Sequence, residues 1–360
     1  MKIMVVGNEP GGMYRFRIDL IRELLNEGHS ITVLVPDGEY VPEMIQLGCK
    51  FIDTPIDRRG INPLNDYKLL RLYNKIVNIE QPDLVITYTI KPNIYCGLAC
   101  RKRKIKYAAN ITGLGTSFEK KGLIRFIVTF LYKISLKKSK IVFFENSENK
   151  DIIVERKIVP ANKTFVLNGA GVNTDFFYYS EYPSEEKINF LFIGRIMVEK
   201  GFNELIYAME KLLNDNCNVE LHIVGFCEES LEDRIKFYQQ EGWLFFHGRQ
   251  QDVRPFIEQS HCFVLPSWHE GMANTNLECA SMGRPVITSN IHGCMEAIED
   301  GVSGLLCEKQ NANDLYMKMK KFISLSYEER KTMGIAGRQR MMEMFDKQKV
   351  VKITLEQLFR

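Results

Sequence analysis

The chain has 360 residues, of which 45% are hydrophobic, and this length and composition predict two domains with substantial cores. Its net charge of +3 indicates no class of partner, and no stretch approaches the roughly 20 apolar residues of a membrane span. The nine cysteines form no CxxC pair and have no zinc-site spacing, which favours reduced core thiols of a cytosolic protein. The apolar run before Gly7 is too short for a signal peptide.

Charge is distributed unevenly along the chain. Residues 1–175 contain 27 Lys and Arg against 18 Asp and Glu, whereas residues 176–360 contain 21 against 27. The first half is therefore basic and the second acidic, as expected of halves that face different partners.

Short apolar runs alternate with helical periodicity throughout the first half. Ile18, Ile21, Leu24 and Leu25 recur at helical spacing before Gly28. The predicted strands are Lys2–Val6, Ile31–Val35, Leu84–Thr87, Lys106–Ala109 and Ile141–Phe144. Strands and helices that alternate in this way predict a doubly wound parallel sheet.

The pattern restarts after a polar, Tyr-rich stretch. The predicted elements are strand Asn189–Ile193, helix Glu204–Leu213 and strands Val219–Val224, Phe245–His247, Cys262–Leu265 and Pro285–Thr288. We therefore expect two α/β units of Rossmann-like type, 1–172 and 188–345, joined by a linker over 173–187 and facing each other across a cleft. A helix over 346–360 is expected to return to the first unit. Ligands of open α/β sheets bind beyond the carboxyl ends of the strands, which suits a two-substrate enzyme.

Three segments lie where such ligands bind. The first, Gly7 to Gly12, joins the first strand to the first helix, and its glycines at a helix start suit phosphate. It lacks the GxGxxG spacing, and a tight turn without a ligand is an equally open interpretation.

The second segment contains Arg195 and Lys200 directly after the first strand of the second unit. A guanidinium fork and an ammonium group both suit a diphosphate, although two solvated cations in a loop are the alternative.

The third segment runs from Pro266 to Glu278 and places two carboxylates eight positions apart, Glu270 in a strand-end loop and Glu278 on a helix predicted to begin near Asn274. A carboxylate can accept hydrogen bonds from two vicinal ribose hydroxyls, and the N–H groups from Gly271 to Ala273 could hold a sugar or phosphate oxygen.

The spacing GR-x4-KG, followed about seventy residues later by PS-x2-EG-x6-E, resembles the family-4 retaining glycosyltransferases of the GT-B fold. The resemblance covers nearly the whole chain. It implies that Arg195 and Lys200 bind the donor diphosphate, that Glu278 holds the ribose, and that Glu270 faces the donor sugar near its reacting carbon. The remaining donor-binding residues that it implies are Gly11, Gly12, Arg249 beside the base (expected to be uracil), Gly271, Met272 and Ala273.

The first half is similar to a narrower group that adds N-acetylhexosamine-type sugars to polyprenyl-diphosphate-linked acceptors in surface-polysaccharide or glycan assembly. The similarity lies in Tyr14-Arg15-Phe16-Arg17, Lys91-Pro92-Asn93 and Thr112-Gly113-Leu114-Gly115. Many family members carry a His near Ile111 that contacts the donor sugar, but this chain has none there. Thr112 and Lys91 are therefore candidates for sugar or acceptor contacts.

No DxD triplet occurs, which agrees with a metal-free GT-B site. No cofactor is expected, since the nucleotide sugar is a substrate. The charge of the leaving group would then be met by Arg195, Lys200 and helix N-termini.

Residues 101–140 contain twelve Lys and Arg and one acidic residue, Glu119, together with the apolar run LIRFIVTFLYKISL. Cations near anionic lipid contribute about 1 kcal/mol each, so we favour contact with the inner face of the cell membrane over a helix with a solvated basic end. Nucleic acid is less favoured because no binding motif accompanies the charge.

Two other functions remain open from the sequence. A hexosamine 2-epimerase-like enzyme would share the architecture and the nucleotide sugar, and a non-catalytic nucleotide-sugar-binding subunit would explain the missing His. Donor hydrolysis without acceptor separates an enzyme from a binding subunit.

Overall fold

A computed structural model describes residues 1–58, 60, 62–114, 122–184, 187–228 and 230–360. The chain forms two compact units, one made of Met1–Ala170 with Gln348–Arg360 and the other of Gly171–Lys347. Each unit is built on one parallel sheet, which confirms the prediction of two Rossmann-like α/β domains.

The first unit contains a seven-stranded sheet with the order β3-β2-β1-β4-β5-β6-β7. Its strands are β1 Lys2–Val6, β2 Ser30–Val35, β3 Lys50–Asp53, β4 Leu84–Tyr88, β5 Lys106–Ile111, β6 Ile141–Phe144 and β7 Thr164–Val166. Its α-helices are Pro10–Asn26, Val41–Gln46, Pro63–Glu80, Gly97–Arg103, Leu123–Leu136, Ser147–Glu155 and Lys347–Phe359, with a π-helical turn Pro92–Cys96 and a 3₁₀ turn Ala161–Lys163.

The second unit contains a six-stranded sheet with the order β10-β9-β8-β11-β12-β13. Its strands are β8 Ile188–Ile196, β9 Val219–Cys227, β10 Leu244–Phe246, β11 Cys262–Leu265, β12 Val286–Ser289 and β13 Gly304–Cys307. Its α-helices are Phe202–Asn214, Glu232–Gln240, Arg254–Glu258, Asn274–Ser281, Ala312–Ser324 and Tyr327–Arg340, with 3₁₀ turns Val198–Lys200 and Met295–Ala297 and a π-helical turn Met341–Phe345.

The cores follow from the alternation of side chains along the strands. In β4, Leu84 and Ile86 pack on the face covered by the first helix, whereas Val85 packs on the opposite face with Tyr73. The C-terminal helix adds Leu355 to the first of these clusters. Strands buried on both faces appear in sequence as continuous apolar runs, which is why most of them were predictable.

The stretch expected as a linker packs on the second unit over its described residues. The Arg284 side chain is fully buried and donates hydrogen bonds to the Ser180 and Glu181 carbonyl oxygens, each at 2.9 Å. Arg338 donates to the Phe177 carbonyl oxygen at 2.8 Å. A buried guanidinium is stable only where oxygens satisfy its donors, and these carbonyls come from the supposed linker.

Each sheet has one point at which the direction of strand addition reverses. In the first unit β1 lies between β2 and β4, and in the second unit β8 lies between β9 and β11. The crevice beyond the carboxyl ends of these neighbouring strands is the preferred ligand site of such sheets.

Candidate functional site

Two glycines bring the ends of β8 and β9 unusually close together. Gly194 and Gly225 are paired in register, and a Cβ on Gly225 would lie 1.8 Å from the Gly194 carbonyl oxygen. Only glycine permits this approach, and Gly225 also has a φ of +152°. The approach fixes the path of the residues beyond each glycine, which include Arg195 near the end of β8 and Glu228 directly after β9.

A third glycine joins the loop after β8 to the loop after β11. Gly201 has a φ of +75°, and a Cβ there would lie 2.2 Å from the Pro266 carbonyl oxygen. Lys200 precedes Gly201, and its ammonium group forms an ion pair with Glu270. The two side chains are only 17% and 12% exposed, so water screens the pair weakly. The structure therefore brings together Lys200 and Glu270, which are 70 positions apart, at the switch point between β8 and β11.

Further contacts hold the Glu270 loop in place. The Ser267 hydroxyl is buried and donates to Glu270 Oε1 at 2.8 Å. The Trp268 indole N–H donates to Glu204 Oε1 at 3.0 Å, and the Trp268 backbone N–H donates to the Glu199 carbonyl oxygen at 2.9 Å. The carboxylate of Glu270 is thus oriented by a side chain of its own loop and by Lys200 from the neighbouring loop.

The helix Asn274–Ser281 begins directly after this loop, and no side chain caps its start. The N–H groups of Asn274 and Thr275 and the positive end of the helix dipole are therefore available to an anion, whereas the Asn276 N–H donates to the Ala273 carbonyl oxygen at 2.9 Å. Within the described part of the chain the Met272 N–H donates to no protein acceptor. The expectation that Ala273 offers its N–H is wrong, because that group donates to the Gly293 carbonyl oxygen at 2.7 Å.

Arg195 forms an ion pair with Glu228, a residue that the sequence did not single out. Arg195 is 42% exposed, so solvent screens this pair more than the Lys200 pair. The pair holds the guanidinium at the carboxyl end of β8 beside the switch point, and its expected contact with a diphosphate stays a prediction.

Glu278 lies on the second turn of its helix and is half-buried, as the sequence predicted for its position. Arg249 is exposed and follows Gly248, whose φ is +66° and whose carbonyl oxygen accepts from the Gly225 N–H at 2.9 Å. The expected contacts of Glu278 with ribose and of Arg249 with the base therefore stay predictions.

Two stacked histidines precede the Arg249 loop. His247 Nε2 lies 2.9 Å from His222 Nδ1, and the rings stack with centroids 5.2 Å apart. Burial lowers the pKa of His247, and the adjacent His222 lowers it further. His247 is therefore neutral at physiological pH.

The glycine turn of the first unit differs from expectation. Glu9 caps the helix Pro10–Asn26, and its carboxylate accepts from the Gly12 N–H at 2.9 Å. A Cβ on Gly11 would lie 2.6 Å from the same carboxylate. Gly12 is thus already bonded to an internal anion, which corrects the expectation that its N–H is free for a donor phosphate. The physical reason is that Glu9, as the N-cap, already accepts the hydrogen bond that a phosphate would otherwise accept.

The residues expected to contact the sugar or the acceptor lie at the carboxyl edge of the first sheet. Thr112 follows β5 and is half-buried. The Lys91 ammonium group forms an ion pair with Asp66 at 2.8 Å and lines a cavity of about 430 Å³ with Asn65 and Lys68. Gly115, part of the motif that includes Thr112, lies outside the described residues.

The basic segment forms a surface with an outward apolar stripe. On the helix Leu123–Leu136, Phe126 and Phe130 are 70% and 53% exposed, whereas Tyr132 and Leu136 are buried. Exposed Lys133 and Lys137 continue the stripe at helical spacing. Glu119, Lys120 and Lys121 of the segment lie outside the described residues.

The described residues form neither a membrane-spanning helix nor a metal-binding cluster. No helix among them is long and apolar enough to cross a membrane. No group of three or more His, Cys, Asp or Glu side chains in the same part of the chain is arranged to hold a metal ion.

Comparison with known proteins gives matches over both units. Residues 179–340 match the family described as Glycosyl transferases group 1, and residues 2–146 match Glycosyl transferase 4-like. A Campylobacter jejuni N,N'-diacetylbacillosaminyl-diphospho-undecaprenol alpha-1,3-N-acetylgalactosaminyltransferase is 29% identical over 348 residues, covering 92% of this chain and 90% of the relative. The Staphylococcus aureus capsular polysaccharide biosynthesis glycosyltransferase CapM is 26% identical, covering 81% of this chain and 80% of CapM.

Solved structures show the same fold. Anabaena HepE in complex with UDP has a TM-score of 0.81 at 17% identity, covering 99% of both chains. A glycosyltransferase from Rickettsia africae has a TM-score of 0.78 at 21% identity, covering 99% of this chain and 97% of its own. With both halves matched, the chain belongs to the GT-B glycosyltransferases, its first unit to the family-4-like domain and its second to group 1.

Proposed function

We propose that this glycosyltransferase is retaining and metal-independent, and that it moves a UDP-activated N-acetylhexosamine or related hexose to a polyprenyl-diphosphate-linked glycan in surface-polysaccharide assembly. The observation that carries the proposal is the placement of Lys200, Arg195 and an uncapped helix start around the switch point of the second sheet. The activities of the similar glycosyltransferases support the acceptor class.

The second unit offers three sources of positive potential to a departing diphosphate. Lys200 supplies a weakly screened charge, Arg195 supplies a planar fork, and the helix Asn274–Ser281 supplies its free N–H groups. Groups held in position before the reaction stabilise developing charge without reorganisation. These groups would meet the charge of the leaving UDP without a divalent ion.

Glu270 is the carboxylate best placed to support positive charge on the sugar carbon. Ser267 and Lys200 fix its orientation, so it does not have to be ordered during the reaction. In a front-face reaction the acceptor hydroxyl attacks on the side from which UDP leaves, which preserves the anomeric configuration. An α-linked donor is then expected to give an α-linked product, and product NMR showing a β-linkage would contradict the retaining mechanism.

Donor binding tests the diphosphate assignment separately from transfer. Calorimetry with UDP is expected to show a roughly 10-fold or greater loss of affinity in Arg195→Ala and Lys200→Ala, since a charge-assisted contact contributes about 1.5–3 kcal/mol. Lys320→Ala is the matched control, because Lys320 also pairs with a carboxylate, Asp215, and that pair lies at the far end of the helix that follows Lys200. Unchanged UDP affinity in both site variants would remove the assignment.

We also propose that the basic segment 101–140 binds an anionic membrane, because on its described helix exposed Phe126 and Phe130 are followed along one stripe by exposed lysines. Co-sedimentation with phosphatidylglycerol vesicles should decrease roughly 10-fold in Phe126→Ser/Phe130→Ser. Phe237→Ser is the control, since Phe237 is 55% exposed on the second unit. The proposal would be contradicted if the double variant bound these vesicles as well as the control variant does. It would also be contradicted if the wild-type protein bound neutral phosphatidylcholine vesicles as well as anionic ones.

A further inference from the structure

A second group of polar side chains lies at the carboxyl edge of the first sheet, beneath the helix Pro10–Asn26. Arg17 Nη2 donates to Glu145 Oε1 at 2.6 Å, and the Arg17 guanidinium carbon lies 4.6 Å from the centre of the Tyr88 ring. Tyr88 ends β4 and Glu145 directly follows β6. All three residues belong to one unit.

The sequence places these side chains on one face of the sheet. Tyr88 lies on the same face of β4 as Ile86, two residues earlier, and Glu145 continues the face of Phe143 beyond β6. Ile86 and Phe143 belong to the same buried cluster. Arg17 lies one helical turn before Ile21, which packs into that cluster. The three polar groups therefore meet above a shared apolar base.

Much of their hydrogen-bonding capacity is unused. Tyr88 is 4% exposed, yet its hydroxyl bonds to none of the residues that the structure describes. Arg17 and Glu145 are 14% and 9% exposed and are joined by a single contact, which leaves a carboxylate oxygen and guanidinium N–H groups unsatisfied by described protein groups. Burial raises the pKa of Tyr88, so the hydroxyl is a neutral donor and acceptor.

An ion pair that only fastens the helix to the sheet would account for the contact between Arg17 and Glu145. The Tyr88 hydroxyl beside them has no hydrogen-bond partner among the described residues, and because it is not sealed from solvent it can bond to water or to a ligand. The cations expected to bind the donor lie in the other unit.

We propose that Arg17, Tyr88 and Glu145 form the subsite for the terminal sugar of the acceptor. This inference rests on the proposed function, which supplies the class of acceptor. The Glu145 carboxylate would accept hydrogen bonds from sugar hydroxyls, and Arg17 and Tyr88 would donate to hydroxyl or acetamido oxygens. These residues position the acceptor and take no part in bond breaking.

The first test is saturation-transfer NMR with the methyl α-glycosides of N-acetylglucosamine and N-acetylgalactosamine. The wild-type protein should show transfer to at least one glycoside. Tyr88→Phe should weaken that binding about 3- to 10-fold and Glu145→Gln about 10-fold or more, the scale of a neutral and a charge-assisted hydrogen bond. Arg22→Ala is the matched control, since Arg22 pairs with Asp19 on the same helix and is 49% exposed.

The second readout is acceptor KM at saturating donor, with farnesyl-diphospho-N-acetylglucosamine as the probe. Acceptor KM should rise by the same factors in the two site variants, while UDP affinity stays within about twofold of wild type. Tyr88→Phe retains the ring and removes only a hydroxyl without a described protein partner, so it should fold.

Absence of an NMR signal in the wild-type protein, or unchanged signals in both site variants, would overturn the subsite whether or not transfer occurs. A loss of UDP affinity equal to the loss of glycoside binding would also overturn it, because the residues would then act through general stability. Intact glycoside binding without transfer in the wild type would instead count against the proposed function.

Discussion

The substitution Gly201→Ala tests the central geometry of the site. Alanine at a φ of +75° costs about 1–2 kcal/mol, as for any L-residue in the left-handed region. The new Cβ would also lie 2.2 Å from the Pro266 carbonyl oxygen, whereas real Cβ atoms stay beyond 3.0 Å. The loops that carry Lys200 and Glu270 must therefore separate by about 0.8 Å or more. Displacements near 1 Å can lower turnover about 100-fold, so we expect kcat/KM to fall by roughly that factor.

Gly242→Ala is the matched control for this prediction. Gly242 has a φ of +80°, but a Cβ added there would meet no atom within 4 Å, so this variant reproduces the backbone strain without the collision. Chemical denaturation should show a loss of about 1–2 kcal/mol in the control and a larger loss in Gly201→Ala. Steady-state kinetics and UDP calorimetry should change only in Gly201→Ala. Identical stability and kinetics in the two variants would refute the claim that this close approach assembles the site.

Further predictions concern the carboxylates, the metal requirement and pH. Glu270→Ala should lower kcat about 100-fold, whereas Glu278→Ala should mainly raise the donor KM, and steady-state kinetics showing the reverse would exchange their roles. Transfer should survive EDTA, and restoration of lost activity by magnesium or manganese would contradict metal independence. Because the pKa of His247 is depressed in the folded state, the unfolded chain takes up that proton first as pH falls below about 6.5. Stability should therefore decrease from pH 7 to 5, and urea titrations should show a smaller decrease in His247→Gln.

The sequence predicted the strands that carry continuous apolar runs. Lys2–Val6, Ile141–Phe144 and Cys262–Leu265 match the structure to the residue. It missed β3 Lys50–Asp53, β7 Thr164–Val166 and β13 Gly304–Cys307, because strands of three or four residues are too short to give a distinctive periodicity. Such strands form where an existing sheet edge supplies hydrogen-bond partners, which is a tertiary effect.

The site was predictable where it depends on local order and not where it depends on distant contacts. The position of Glu270 after a strand and of Glu278 on the following helix followed from the adjacent sequence. The pairing of Arg195 with Glu228 depends on the register of β8 and β9, and the loss of the Ala273 donor depends on Gly293. No spacing rule in a single sequence indicates either contact.

Product analysis by mass spectrometry tests the central claim most directly. The wild-type protein and Glu270→Ala would be incubated with a panel of UDP-hexoses and UDP-N-acetylhexosamines and a synthetic polyprenyl-diphospho-N-acetylhexosamine acceptor. We predict that the acceptor gains one hexose or N-acetylhexosamine residue with one of these donors, and that Glu270→Ala slows this gain about 100-fold. An acceptor of unchanged mass across the panel, with the UDP-sugar epimerised, merely hydrolysed or left intact, would contradict the account.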